Sequence, residues 1–116
     1  MSISQNSREI TVEELATLRS QNDRPVQLID VREPAEAAIA LIDGFVLLPL
    51  SEFPQWSEQI PVRFDPNLET LVICHHGYRS AQMCHWLRSQ GFTNVKNILG
   101  GIDAYSLRVD PSIPRY

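Results

Sequence analysis

Two cysteines in 116 residues are too few for a disulfide framework. Long apolar runs are also missing. The longest uncharged ones, such as Phe45 to Leu50, fall far short of the ~20 residues a membrane-spanning helix requires. Met1 to Glu9 is polar and has no apolar h-region, so no secretory signal is expected and reduced thiols in the cytoplasm are. Basic residues are outnumbered, ten Lys and Arg against 14 Asp and Glu, a net charge of −4 that argues against a general nucleic-acid-binding surface. What remains is ordinary: 43% hydrophobic and 21% charged positions, expected to form one soluble domain over residues 1–116. Its core is expected at about 8–109, with a Pro-containing tail at 110–116.

Short apolar runs alternate with helical patterns, and no internal repeat is evident. Thr11 and Glu14 form an S/T-x-x-E capping box ahead of the apolar stripe of Leu15 and Leu18, and Asn22-Asp23-Arg24-Pro25 stops that helix. Arg8 to Ile10 reads as a very short edge strand and Val26 to Val31 as a longer one. Pro34 suits the first turn of a helix running to about Ala40, and Phe45 to Leu48 reads as a strand ended by Pro49. Ser51 to Gln59 predicts a short helix capped by Ser51, with Phe53, Trp56 and Ile60 on one side, followed by a connector from Pro61 to Asn67. Thr70 to Ile73 is the strongest strand signal. Arg79 to Gln90 predicts a helix with Ala81, Cys84, Leu87 and Met83 inward, ended by Gly91. Val95 to Ile98 reads as a strand, and Ile102 to Val109 as the last helix. This alternation predicts an α/β domain with a mainly parallel central sheet, whose ligands bind beyond the carboxyl ends of the strands.

That rule selects Cys74-His75-His76-Gly77-Tyr78-Arg79-Ser80. The Cys74 sulfur is expected between a strand end and a helix start, where unpartnered N–H groups and the helix dipole favour an ionised sulfur. Gly77 permits the tight turn, and Arg79 adds a permanent positive charge that either braces the loop or attracts an anionic substrate. His75 and His76 are read chiefly as suppliers of backbone N–H groups with imidazoles in solvent; tuning the thiolate or touching an anionic donor is the alternative. Asp30 and Arg32, at the same sheet end, are expected to form an ion pair or loop brace, with Ser80 as further loop support. Cys84 lies at core spacing within its helix. The set Cys74, His75, His76, Cys84 and His85 matches no usual zinc spacing, so no metal is expected.

These strings resemble those of single-domain rhodanese-like sulfurtransferases. The likeness runs through Leu28-Ile29-Asp30-Val31-Arg32-Glu33-Pro34, Leu71-Val72-Ile73-Cys74 and its loop to Arg79-Ser80, Gln90-Gly91-Phe92-Thr93-Asn94-Val95, and Gly100-Gly101-Ile102-Asp103-Ala104-Tyr105. It implies a five-stranded sheet with helices on both faces, no metal and no organic cofactor. It further implies that Cys74 takes a sulfane sulfur as a persulfide, cradled by the N–H groups of His75 to Arg79. The implied partners are a small donor such as a thiosulfate-like anion and a thiol, cyanide or protein acceptor. A persulfide carrier or regulatory binding module is the rival reading. A Cys-loop phosphatase or arsenate reductase is a weaker one, because tyrosine phosphatases place five residues between cysteine and arginine, whereas only His75 to Tyr78 intervene here. Many family members also carry a Gly-His-Ile turn where this chain has Ala40-Leu41-Ile42.

Overall fold

The computed structural model describes residues 8–22 and 24–116; the expected stop at Asp23 and the segment before Arg8 lie outside them. Five strands, β1 (Glu9–Ile10), β2 (Val26–Asp30), β3 (Val46–Leu47), β4 (Glu69–Ile73) and β5 (Val95–Ile98), form one sheet in the order β1-β5-β4-β2-β3. Every neighbouring pair is parallel. The helices are α1 (Val12–Gln21), α2 (Pro34–Ile39), α3 (Phe53–Trp56), α4 (Ile60–Arg63), α5 (Tyr78–Ser89) and α6 (Gly101–Arg108). No helix among the described residues is long and apolar enough to cross a membrane.

Strand alternation divides the interior in two. From β4, Val72 and then Cys74 face the side packed by Trp56, Ile60, Met83, Cys84 and Leu87. Leu71 and Ile73 face the other side, packed by Leu15 and Leu18 of α1 and by Ile102 and Tyr105 of α6. Successive residues of a strand point to opposite faces, so the sheet is covered by helices on both. All five residues of β4 are buried, as a central parallel strand requires. The Thr11–Glu14 capping box forms as the sequence predicts, Thr11 N–H donating to Glu14 Oε1 at 2.8 Å and Glu14 N–H to Thr11 Oγ1 at 3.1 Å.

The stretch from Leu50 to Arg63 departs from expectation. In place of one helix and a connector it alternates tight turns at Leu50–Glu52 and Ser57–Gln59 with α3 and α4. Pro54 and Pro61 sit in the first turns of α3 and α4, where a missing N–H costs little, so each proline opens a helical turn instead of ending one. Ser51 caps nothing: its hydroxyl and its N–H both donate to the Glu33 carboxylate. Trp56 anchors the segment, burying its ring and donating Nε1–H to the Pro49 carbonyl at 2.8 Å. In α5, Ser80 faces inward and Ala81 is exposed, because Ser80, Met83, Cys84 and Leu87 share one helical stripe and Ala81 lies beside it. Where the family's Gly-His-Ile turn is lacking, Ala40 and Ile42 fill the α1 side of the core and Leu41 faces out.

Candidate active site

β4 delivers Cys74 to the carboxyl edge of the sheet, and α5 starts four residues later at Tyr78. Gly77, at φ +105°, supplies the left-handed turn between them. Its N–H points at Cys74 Sγ from 3.0 Å. Cys74 is buried, 1% exposed, and its sulfur lies beneath the turn at Gly77. Ser80 Oγ is 3.2 Å from it and also reaches Asn97 Oδ1. One hydroxyl proton serves one acceptor at a time. With a protonated thiol it can point to Asn97, and with a thiolate it can turn to the sulfur. Asn97 Nδ2 donates to the Gly77 carbonyl at 2.9 Å, so β5 fixes the turn from beneath.

The start of α6 holds the loop open. Ile102 N–H donates to the Cys74 carbonyl at 2.9 Å and Asp103 N–H to the His75 carbonyl at 3.1 Å. These bonds draw the first two loop carbonyls away from the sulfur. Gly101, at φ +62°, makes the approach possible, since a Cβ there would lie 2.4 Å from both carbonyl oxygens. A double glycine before a helix is the sequence signal of that contact, and the spacing alone reads it only as a strand break.

Arg79 closes the loop on α2. Its Nη1 and Nη2 donate to Glu36 Oε1 and Oε2 at 2.7 and 2.9 Å. This bidentate pair, with a second hydrogen bond from the Glu33 N–H, holds the Glu36 carboxyl down to about 2. Beside it Arg32, fully buried, sends Nε and Nη2 to Asp30 and its own N–H to Asp30 Oδ1. Arg32 Nη1 donates to the Tyr116 hydroxyl at 3.0 Å, which donates in turn to Glu36 Oε2 at 2.9 Å.

The two loop histidines differ. His76 is exposed, whereas His75 is partly buried between stacked rings, His76 on one side and Tyr116 on the other, each 3.9 Å between centroids. The expectation of two solvent imidazoles therefore fails for His75, whose ring burial favours the neutral form, with the His76 charge adding to that. Its Nε2 is buried without a hydrogen-bond partner. Tyr78, by contrast, is 81% exposed at the rim.

His75, His76 and Asp103 bring possible ligand atoms within 4.8 Å of one another. Asp103 is already paired with Arg115 at 2.9 Å, so an ion at this place would have to compete with that guanidinium for the carboxylate. Cys84 lies within the core, and burial pushes its thiol up to about 12. Glu36, Asn97 and Tyr116 meet the loop from positions the sequence pattern did not mark, and Gly101 was marked only as part of a family string.

Residues 11–108 match the rhodanese-like domain. The chain belongs to that family. It is 35% identical over 98 residues to a sulfurtransferase of Allochromatium vinosum, covering 84% of this chain and 87% of the relative. It is 50% identical over 114 residues to the rhodanese-like/PpiC domain-containing protein 12, chloroplastic, of Arabidopsis thaliana, covering 94% of this chain and only 37% of that longer relative. A solved rhodanese-like domain protein from Staphylococcus aureus superposes with a TM-score of 0.75 at 28% identity, over 94% of this chain and 98% of that one. The five-stranded parallel sheet and flanking helices are those of this rhodanese-like fold, and the family supports sulfurtransferase activity in general.

Proposed function

We propose that this rhodanese-like chain moves a sulfane sulfur from a donor such as thiosulfate to a thiophilic acceptor through a persulfide on Cys74. The observation that carries the reading is the Gly77 N–H directed at Sγ from 3.0 Å inside a six-residue loop. In the first step the Cys74 thiolate attacks the outer sulfur of thiosulfate. A new S–S bond forms, the old one breaks, and sulfite leaves with its electron pair. In the second step cyanide or a thiolate attacks the outer persulfide sulfur and regenerates the Cys74 thiolate. Charge on the cysteine sulfur rises as the second bond breaks, so a fixed amide dipole there lowers the barrier. A compartment that keeps thiols reduced, such as the cytoplasm, suits this chemistry.

A second reading, a carrier that takes up sulfur but unloads only to a protein partner, is favoured by one feature. The cations around the loop are already matched: Arg79 by Glu36, Arg32 by Asp30 and Arg115 by Asp103. A small dianion then gains little from them, and docking must supply the specificity. Intact-mass measurement separates the readings. Thiosulfate should add the mass of one sulfur atom to the wild type and none to Cys74→Ser, and cyanide should remove it. An adduct that resists cyanide but passes to a protein acceptor supports the carrier; no adduct, or an adduct on Cys74→Ser, overturns the Cys74 assignment.

A further inference from the structure

The segment after α6 returns to the nucleophile's loop. Ile113 enters the core beside α6, and Ser106 Oγ donates to its carbonyl. From that anchor Tyr116 reaches His75, its ring lying 6° from parallel at 3.9 Å. An arginine has only donors to offer, so the Tyr116 hydroxyl accepts from Arg32 and its single proton goes to Glu36. Glu36 holds the guanidinium fork of Arg79. His75 is the second residue of the loop and Arg79 the last. One side chain is therefore fastened to both ends of the loop, by its ring at one and by its hydroxyl, through Glu36, at the other.

We propose that Tyr116 is a positioning residue for sulfur transfer, holding the two ends of the Cys74 loop at the separation that keeps the Gly77 amide on the sulfur. The proposal rests on the Cys74 reading above. Amide dipoles lower a barrier only when their orientation is fixed before charge develops, and a loop released at its ends lets those amides turn toward water. Loss of the hydroxyl also leaves Nη1 of fully buried Arg32 with only the longer, 3.4 Å bond to the Glu36 carbonyl.

The test compares Tyr116→Phe, which keeps the stack, with Tyr116→Ala, which removes ring and hydroxyl. Steady-state kinetics with thiosulfate and cyanide should give a kcat lower by about threefold in Tyr116→Phe and by about tenfold or more in Tyr116→Ala, with KM for thiosulfate within about twofold. Amide hydrogen exchange read by NMR should quicken about tenfold over residues 76–79 in Tyr116→Ala, and less in Tyr116→Phe, while β4 stays unchanged. A tail that merely adds stability would lower the melting temperature, leave kcat at wild type well below melting, and confine faster exchange to α6 and the residues after it. That outcome overturns the proposal. If Tyr116→Ala does not fold, Tyr116→Phe decides alone, and wild-type kcat with wild-type loop exchange refutes the role. A wild-type chain that takes no sulfur on Cys74 would sink the sulfur-transfer reading, whereas the exchange measurement would still report whether Tyr116 holds the loop.

Discussion

Replacing Glu36 with Gln removes the charge of the loop's clasp. Gln keeps one oxygen, so it retains either the Oε1 partners, the Glu33 N–H and Arg79 Nη1, or the Oε2 partners, the Tyr116 hydroxyl and Arg79 Nη2, and turns an NH2 toward the donors of the other set. A carboxyl lowered from 4.5 to about 2 corresponds to roughly 3 kcal/mol of folded-state stabilisation at neutral pH. The Arg79 side chain is 35% exposed and that of Glu36 20%, so solvent screening brings the expected cost of Glu36→Gln to about 1.5 kcal/mol. For a domain of this size that is a fall of about 6 °C in melting temperature. The pH dependence has a definite sign. Because the folded carboxyl titrates below the unfolded one, its contribution is fully present above about 4.5 and is lost as pH falls through about 2. Urea unfolding followed by tryptophan fluorescence, run on both proteins from neutral pH downward, should show two curves that converge as acid is added. A constant gap across that range would mean that Glu36 contributes through packing and neutral hydrogen bonds rather than charge, and the electrostatic account of the clasp would be wrong.

Other outcomes follow from the same geometry. Arg79→Ala should lower stability about as much as Glu36→Gln while changing KM for thiosulfate by less than about threefold; a tenfold rise in KM would show the guanidinium leaving Glu36 to meet the donor. Gly101→Ala places a methyl group against two loop carbonyls at a left-handed φ, and should cost about 3 kcal/mol or more in chemical denaturation together with most of the activity. A stable, active Gly101→Ala would mean the α6 contact is not needed. Cys84, buried and with its thiol pushed up to about 12, should resist iodoacetamide at pH near 8 until the protein unfolds, and Cys84→Ala should keep its kcat. Alkylation of Cys84 in the folded chain, read by peptide mass spectrometry, would contradict that burial.

Local signals were legible where the physics is local. The capping box at Thr11, the proline opening α2 and the continuous apolar run of β4 each depend on a few neighbouring residues, and each appears where the sequence predicts it. The loop of Cys74 was legible too, because a strand end, a glycine and a helix start lie within six residues. The Leu50–Arg63 segment was misread because a proline is both a helix stop and a favoured first-turn residue, and only packing around Trp56 and Ile60 chooses between them. The clasp was invisible for a different reason. Glu36 meets Arg79 across 43 residues, and Tyr116 meets Arg32 across 84. Helical and strand periodicities carry no record of such separations. The inward turn of Ser80 in place of Ala81 is a matter of phase: Met83, Cys84 and Leu87 face inward as expected, and the residue that shares their stripe is Ser80, with Ala81 about 100° away from it.

The order in which the sheet is assembled has a consequence for synthesis. Strand β1, near the start of the chain, pairs with β5 near its other end, Glu9 lying opposite Asn97. The groups that fix the cysteine loop from below and beside it, Asn97, Gly101 and Ile102, leave the ribosome after Cys74 has already emerged. At about 5–20 residues per second, the nascent thiol spends about 1–6 seconds without its enclosure. During that interval it is an exposed cysteine, open to any oxidant, and it gains its shelter only when β5 and the start of α6 arrive.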